Sequence, residues 1–157
     1  MHDIQKHLVT LASRQPETFP KIICFYTGSQ TPKSCEPMPR SPSPPVGITL
    51  NEKIAKLILR ATSKNRSLHD GALMIGRHRK NADYSVTGWS YRLFPSPHPG
   101  AKRQNRGAAF NSCLAMSNVR SVDCLYLLAR DGIIKFTAGR FRTIRSSGIG
   151  GAVSRRI

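Results

Sequence analysis

A chain of 157 residues with 39% hydrophobic residues can bury a sizeable core, which excludes a wholly disordered protein. Its 25 lysines and arginines outnumber 8 acidic residues, and the net charge of +17 predicts attraction to nucleic acid, nucleotides or an anionic membrane surface. No apolar run reaches the roughly 18 residues that span a bilayer, and the first residues lack the apolar core of a secretory signal. We therefore expect a cytoplasmic protein with no membrane partner.

The first 48 residues form a region of their own in this interpretation. Ile4, Leu8 and Leu11 recur at helical spacing, which predicts a helix over residues 2–13. A strand is predicted at 22–26. The six prolines between residues 28 and 45 then predict a loop or local disorder.

Residues 49–137 are predicted to form the main domain. Thr49 and Glu52 match a capping box, and the following apolar stripe predicts a helix. The stripe consists of Ile54, Leu57, Ile58 and Ala61. A strand at 70–76 follows this helix.

The second half of this domain begins with loops over 77–107, with one short strand near 90–94. Small residues then predict a helix over 108–117, followed by a strand over 122–129. The pair Asp131-Gly132 is a hairpin signal before a return strand. Residues 138–157 are rich in glycine, serine and arginine, which predicts a basic flexible tail. The alternation of elements predicts an α/β fold, a mixed central β-sheet flanked by helices.

The cysteines give no sign of a metal site. Cys24, Cys35, Cys113 and Cys124 form no C-x-x-C pair, and no histidine stands close to them in a zinc-like spacing. The apolar neighbours of Cys24, Cys113 and Cys124 predict buried, reduced thiols.

Asp70 is the leading candidate for a functional residue. It stands in the stretch Leu68-His69-Asp70-Gly71-Ala72, at the mouth of a short apolar strand. A carboxylate in this position suits a hard divalent cation held over a phosphate. The alternative is that Asp70 only caps a turn, since Asp-Gly is a common turn pair.

The order of these motifs resembles the diadenylate cyclase domain, as found in DNA-integrity-scanning proteins and membrane-linked cyclases. The resemblance covers about residues 50–137 and rests on the LHDGA stretch, the small-residue helix and the Asp-Gly hairpin. It implies that Asp70 is the catalytic carboxylate and binds Mg²⁺ or Mn²⁺, with Gly71 and Ala72 close to the nucleotide. It also implies that two domains meet face to face as a homo-oligomer, each holding one ATP, and make cyclic di-AMP.

The chain departs from the family at its second motif, an Arg-His-Arg that grips phosphates before the small-residue helix. The matching position, Ala109-Phe110-Asn111, has no cation, and Arg106 is the nearest substitute. Arg77-His78-Arg79 carries the same letters but directly follows the Asp-Gly-Ala strand, so we interpret His78 as an exposed surface residue. The departure predicts binding of ATP or a cyclic dinucleotide with cyclase activity weakened or lost.

Four further residues are candidates for nucleotide binding. Trp89 and Arg92 would stack on a base or contact phosphate, although Trp89 would equally anchor a loop to the core. Asn111 and Ser112 would bind a ligand at a helix start, or cap that helix. Asp123 is expected to have a structural role beside a basic residue.

A second function from a different class stays open. The charge of +17 and the arginines of the C-terminal region also suit a small basic nucleic-acid-binding protein without catalysis.

Overall fold

The computed structural model describes residues 5, 6, 8, 9, 22–51, 53–96, 106–129 and 132–144. Seven strands form one sheet: β1 Ile22–Thr27, β2 Cys35–Pro37, β3 Ala72–Arg77, β4 Ser85–Leu93, β5 Val122–Ala129, β6 Gly132–Thr137 and β7 Arg140–Ile144. The sheet is accompanied by helices α1 Ile54–Lys64 and α2 Ala108–Met116 and by a 3₁₀ turn at Arg66–His69, and the described residues 5, 6, 8 and 9 are also helical. The strand order is β2-β4-β3-β1-β5-β6-β7, in which β1 and β3 are parallel and the other neighbours are antiparallel.

The two faces of the sheet pack against different helices, because side chains alternate between faces along each strand. Ile23 and Phe25 of β1 share a core with Ile54 and Ile58 of α1. On the other face, the core combines the following side chains of β1, β3, β5, β6 and α2: Cys24, Met74, Leu125, Phe136, Phe110, Cys113, Leu114 and Met116. The predicted α/β fold with a mixed sheet and flanking helices is therefore confirmed.

Both predicted domain boundaries fall inside this single sheet. Strand β1, from the region before residue 49, lies at the centre and pairs with β3 and β5. Strand β7 comes from the predicted flexible tail and pairs with β6 along five residues. Leu8 is fully buried in the core beside α1, whereas Ile4 and Leu11 of the predicted first helix lie outside the described residues.

The predicted capping box is wrong at Thr49. Helix α1 begins at Ile54 after Lys53, whose side chain makes no capping bond. Thr49 instead forms a β-bridge with Ser85, because the backbone on either side of it bonds to β4. The N–H of Leu50 donates to the carbonyl of Tyr84 at 2.7 Å. Glu52 lies outside the described residues.

The second half of the predicted domain contains more strand than expected. Strand β4 occupies nine residues of the segment that was predicted to be mostly loop. The hairpin between β5 and β6 is confirmed by the pairing of Ala129 with Gly132, while Asp131 lies outside the described residues.

Candidate functional site

Asp70 stands where the 3₁₀ turn passes into β3. Its backbone N–H donates to the carbonyl of Ser67 at 3.2 Å, so the residue does close a local turn. Its carboxylate has a separate role, because the side chain is 64% exposed and Oδ2 lies 2.7 Å from Nη2 of Arg40. The turn is therefore formed by the backbone, and the carboxylate faces solvent beside one cation.

Gly71 has no room for a side chain. Its φ is +90°, and a Cβ on it would lie 2.9 Å from the carbonyl carbon of Ser90 and 3.0 Å from the nitrogen of Tyr91. Glycine is thus required both by the left-handed backbone and by the close approach of β4. Ala72, the next residue, is fully buried, backbone included, so it has no surface that a ligand could contact in this conformation.

A β-bulge in β4 lies directly against this turn. The register between β3 and β4 shifts between Ala72 and Met74, and Ser90 takes a φ of +57°. Ser90 is 1% exposed, and its Oγ donates to the carbonyl of Asp70 at 2.6 Å and accepts from Nε of Arg40 at 3.0 Å. Bulges and left-handed non-glycine residues cluster near functional sites, where they aim side chains.

Arg40 completes the site, and sequence reasoning missed it. It comes from the proline-rich segment, which is fastened to the sheet where the N–H of Met38 donates to the carbonyl of Ser90 at 2.8 Å. Thirty residues separate Arg40 from Asp70, and no local pattern links them. One feature of the sequence could have pointed to Arg40: it and Lys33 are the only cations between residues 28 and 45.

Trp89 and Arg92 lie on β4, the strand that contains the bulge, but their side chains have different surroundings. Trp89 is 6% exposed and belongs to the core beside α1, and its indole N–H donates to the carbonyl of Pro45 at 3.1 Å. It therefore anchors the proline-rich segment. Arg92 is exposed and lies 3.5 Å from the carboxylate of Glu36.

Arg106, Asn111 and Ser112 form a second group at the start of α2. The helix is preceded by Gly107 and has no side-chain cap, so the predicted capping by Asn111 or Ser112 does not occur; both lie within the helix. The guanidinium of Arg106 lies 5.0 Å from the ring centroid of Phe110. The amide of Asn111 donates to the carbonyl of Arg106 at 3.1 Å.

A second aspartate–arginine pair lies at the other end of β1 and β3. Oδ2 of Asp123 accepts hydrogen bonds from the hydroxyls of Thr27 at 2.6 Å and Tyr84 at 2.8 Å, and lies 3.8 Å from Nη2 of Arg77. Burial, and then the bond to Asp123, raises the pKa of Tyr84 above its ordinary value. The guanidinium of Arg77 also lies 4.4 Å from the Tyr84 ring centroid. The structural role expected of Asp123 is confirmed, and His78 is exposed as expected.

The described residues contain no group of three or more His, Cys, Asp or Glu side chains arranged to hold a metal ion. All four cysteines are free and buried, as predicted for three of them. Burial raises the pKa of Cys35 to about 11 and that of Cys113 to about 12. These buried thiols are packing residues.

Comparison with known proteins gives evidence at the level of structure alone. No protein-family model matches the sequence, and no curated protein matches it either. Solved structures do match, and they define the fold as diadenylate-cyclase-like.

Two of the matching structures are bacterial proteins. One is DacA from Staphylococcus aureus, a diadenylate cyclase crystallised as a double mutant, with a TM-score of 0.57 and 16% identity. That alignment covers 92% of this chain and 85% of the DacA chain. The other is a hypothetical membrane spanning protein from Bacillus cereus, with a TM-score of 0.59, 12% identity and coverage of 92% of this chain but 63% of that one. The similarity extends well beyond the residues 50–137 on which the sequence resemblance rests.

Membrane insertion through a helix finds no support in the described residues, since none of their helices has the length and apolar character needed to cross a bilayer.

Proposed function

We propose that this protein binds the phosphates of ATP or a cyclic dinucleotide at the Asp70 end of the sheet, with its cyclase activity reduced or lost. One observation carries the proposal: an exposed carboxylate at an Asp-Gly-Ala turn lies 2.7 Å from an arginine that a β-bulge holds in place. The diadenylate-cyclase-like fold supports the same position.

Each residue at this position has a distinct role in the proposal. Arg40 is the phosphate ligand, because a guanidinium forms strong charge-assisted bonds to phosphate oxygens. Asp70, released from Arg40 by the incoming phosphate, is the ligand for Mg²⁺ or Mn²⁺. One protein carboxylate suffices for such an ion, because Mg²⁺ usually takes its other oxygen ligands from substrate phosphates and water. Arg106 at the start of α2 is the second candidate contact to phosphate.

Calorimetric titration of ATP and of cyclic di-AMP, with and without Mg²⁺ or Mn²⁺, tests this proposal. Replacing Arg40 with Gln should weaken binding about 10- to 100-fold in either condition, the usual loss for a charge-assisted bond. Replacing Asp70 with Asn should remove only the gain in ATP affinity that the metal provides. Asp83→Asn is the matched control, since Asp83 is an exposed carboxylate in the loop beyond the far end of β3.

The absence of measurable binding of either nucleotide at millimolar concentration would overturn the proposal. So would equal losses in Arg40→Gln and Asp83→Asn. Product analysis by chromatography addresses the activity: we expect little or no cyclic di-AMP, since no Arg-His-Arg stands directly before α2. Any cyclisation by two facing copies should have a rate that rises with the square of protein concentration.

A further inference from the structure

Strands β6 and β7 carry an unbalanced group of positive charges. Among the described residues from Cys124 to Ile144, the charged side chains are Lys135, Arg140 and Arg142, and none is a carboxylate. Lys135 pairs with Arg142 across the strands, and Thr137 pairs with Arg140. Because directly opposed residues and residues two apart share a face, all three cations lie on one side of the sheet. We name these three residues the cationic face.

The strand that carries two of these cations is fixed from the opposite side. Phe141 lies between Arg140 and Arg142, and its ring centroid is 5.0 Å from that of Phe110 and 6.2 Å from that of Phe136. On the cationic side, Nζ of Lys135 lies 5.6 Å from the Tyr126 ring centroid. Contacts on both sides of the sheet therefore hold the strands of the cationic face in place. The face borders an open concavity of about 540 Å³.

No ion pair among the described residues compensates this charge. Like charges directly opposite each other on neighbouring strands are destabilising. Of the described carboxylates, Glu36, Asp70 and Asp123 pair with arginines on other strands and loops, and Asp83 lies in the loop between β3 and β4. Protection of an exposed sheet edge would explain cations on β7, but Lys135 stands on β6, an inner strand.

We propose that the cationic face binds the phosphate backbone of a nucleic acid. Arg140 and Arg142 are spaced about 7 Å apart along the strand, and Lys135 lies opposite Arg142 about 5 Å across. A row of this kind fits successive phosphates of a linear polyanion, whereas one small anion would leave cations unpaired. Phe141 of β7 packs on Phe110 and Phe136 and remains 38% exposed, so the proposed contacts to phosphates are made by the three cations.

The salt dependence of binding distinguishes the contribution of the cationic face from that of the net charge of the whole protein. The test variant is Lys135→Gln/Arg140→Gln/Arg142→Gln, and the control is Lys33→Gln/Arg66→Gln/Arg79→Gln, three exposed cations outside the face. Each lowers the net charge from +17 to +14, so long-range attraction falls equally. Fluorescence anisotropy with labelled single-stranded DNA and RNA, from 50 to 200 mM salt, gives the slope of log affinity against log salt.

We expect the test variant to lose about 2 units of that slope and at least about tenfold in affinity, while the control keeps nearly the full slope. Arg142→Gln alone should lose about 0.7 unit, which keeps the test decisive if the triple variant folds poorly. Equal losses in the two triple variants would overturn the proposal. The proposal would also be overturned if the wild-type protein binds neither oligonucleotide. The same holds if the triple substitution weakens binding only to acidic phospholipid vesicles. ATP affinity should be unchanged in the test variant, so failure here is distinct from failure at Asp70.

Discussion

The two ends of the parallel β1–β3 pair each carry an aspartate beside an arginine, but the carboxylates differ in how fully they are used. Oδ2 of Asp123 has two hydroxyl donors and a guanidinium, and its side chain is 24% exposed. Oδ2 of Asp70 has a single guanidinium and a side chain that is 64% exposed. A carboxylate that the protein already satisfies has little capacity for a ligand, so the comparison favours a structural role for Asp123 and agrees with the binding role proposed for Asp70.

The largest expected effect is at the satisfied end. Asp123→Ala should lower the free energy of unfolding by about 2–4 kcal/mol, because the hydroxyls of Thr27 and of buried Tyr84 lose their acceptor and Arg77 loses its counter-charge. Urea denaturation measures this loss. Asp83→Ala, an exposed neighbour of Tyr84, should change stability by no more than about 0.5 kcal/mol. A loss below about 1 kcal/mol for Asp123→Ala would remove the contrast between the two ends.

A somewhat smaller loss is expected from the backbone at the open end. Gly71→Ala should cost about 1–3 kcal/mol, because the new Cβ meets the backbone of β4 and the φ of +90° disfavours any side chain. Gly107→Ala is the control, since a Cβ there has no atom within 4 Å and its φ is −65°. Thermal unfolding of the two variants compares them. If the two variants have the same melting temperature, the close approach of the bulge does not restrict position 71 to glycine.

The decrease in stability at alkaline pH should also distinguish the Asp123 end from the Asp70 end. The pKa of Cys124 is raised to about 11, mainly by burial; Lys135 lowers it and Asp123 contributes to the rise. Unfolded thiols ionise near their ordinary value of 9.0, so between these values the native state holds more protons than the unfolded state. Stability should therefore be full below pH 9 and fall as pH rises toward 11.

Urea unfolding at pH 8, 9 and 10 in Asp123→Asn and Asp70→Asn measures this dependence. Removing the charge of Asp123 should make the fall with pH shallower, because that charge also raises the pKa of Tyr84. Asp70→Asn should follow the wild-type profile. A shallower fall in Asp70→Asn instead would connect the two ends electrostatically and contradict their separation.

The smallest effect on stability is expected from Asp70→Asn itself. The pair with Arg40 is exposed on the Asp70 side, and exposed ion pairs contribute roughly 0–1 kcal/mol. The midpoint of urea unfolding should thus be almost unchanged, although the proposed function predicts loss of the metal-dependent gain in ATP affinity. A loss above about 1 kcal/mol would give Asp70 the same structural status as Asp123.

Local patterns in the sequence predicted the parts of the fold that depend on local periodicity. The apolar stripe of α1, the hairpin after β5 and the turn at Asp70 all follow from residues within a few positions of one another. Pairings between distant segments were not predictable in this way: Arg40 reaches Asp70, Thr49 bridges to Ser85, and β7 joins the sheet. Each of these depends on which backbone or charge the rest of the fold brings nearby, and the exposed, arginine-bearing residues of β7 gave no apolar alternation to reveal a strand.

The proline-rich segment that delivers Arg40 has an energetic consequence of its own. Several bonds fasten it to the sheet and to α1's C-terminal side, among them those from Met38 to Ser90, Trp89 to Pro45 and Asn65 to Pro42. Six prolines between residues 28 and 45 restrict the unfolded chain, so ordering this long segment loses less conformational entropy than a glycine-rich loop would. Replacing these prolines with flexible residues should thus make the position of Arg40 less well ordered, although neither Arg40 nor Asp70 is changed.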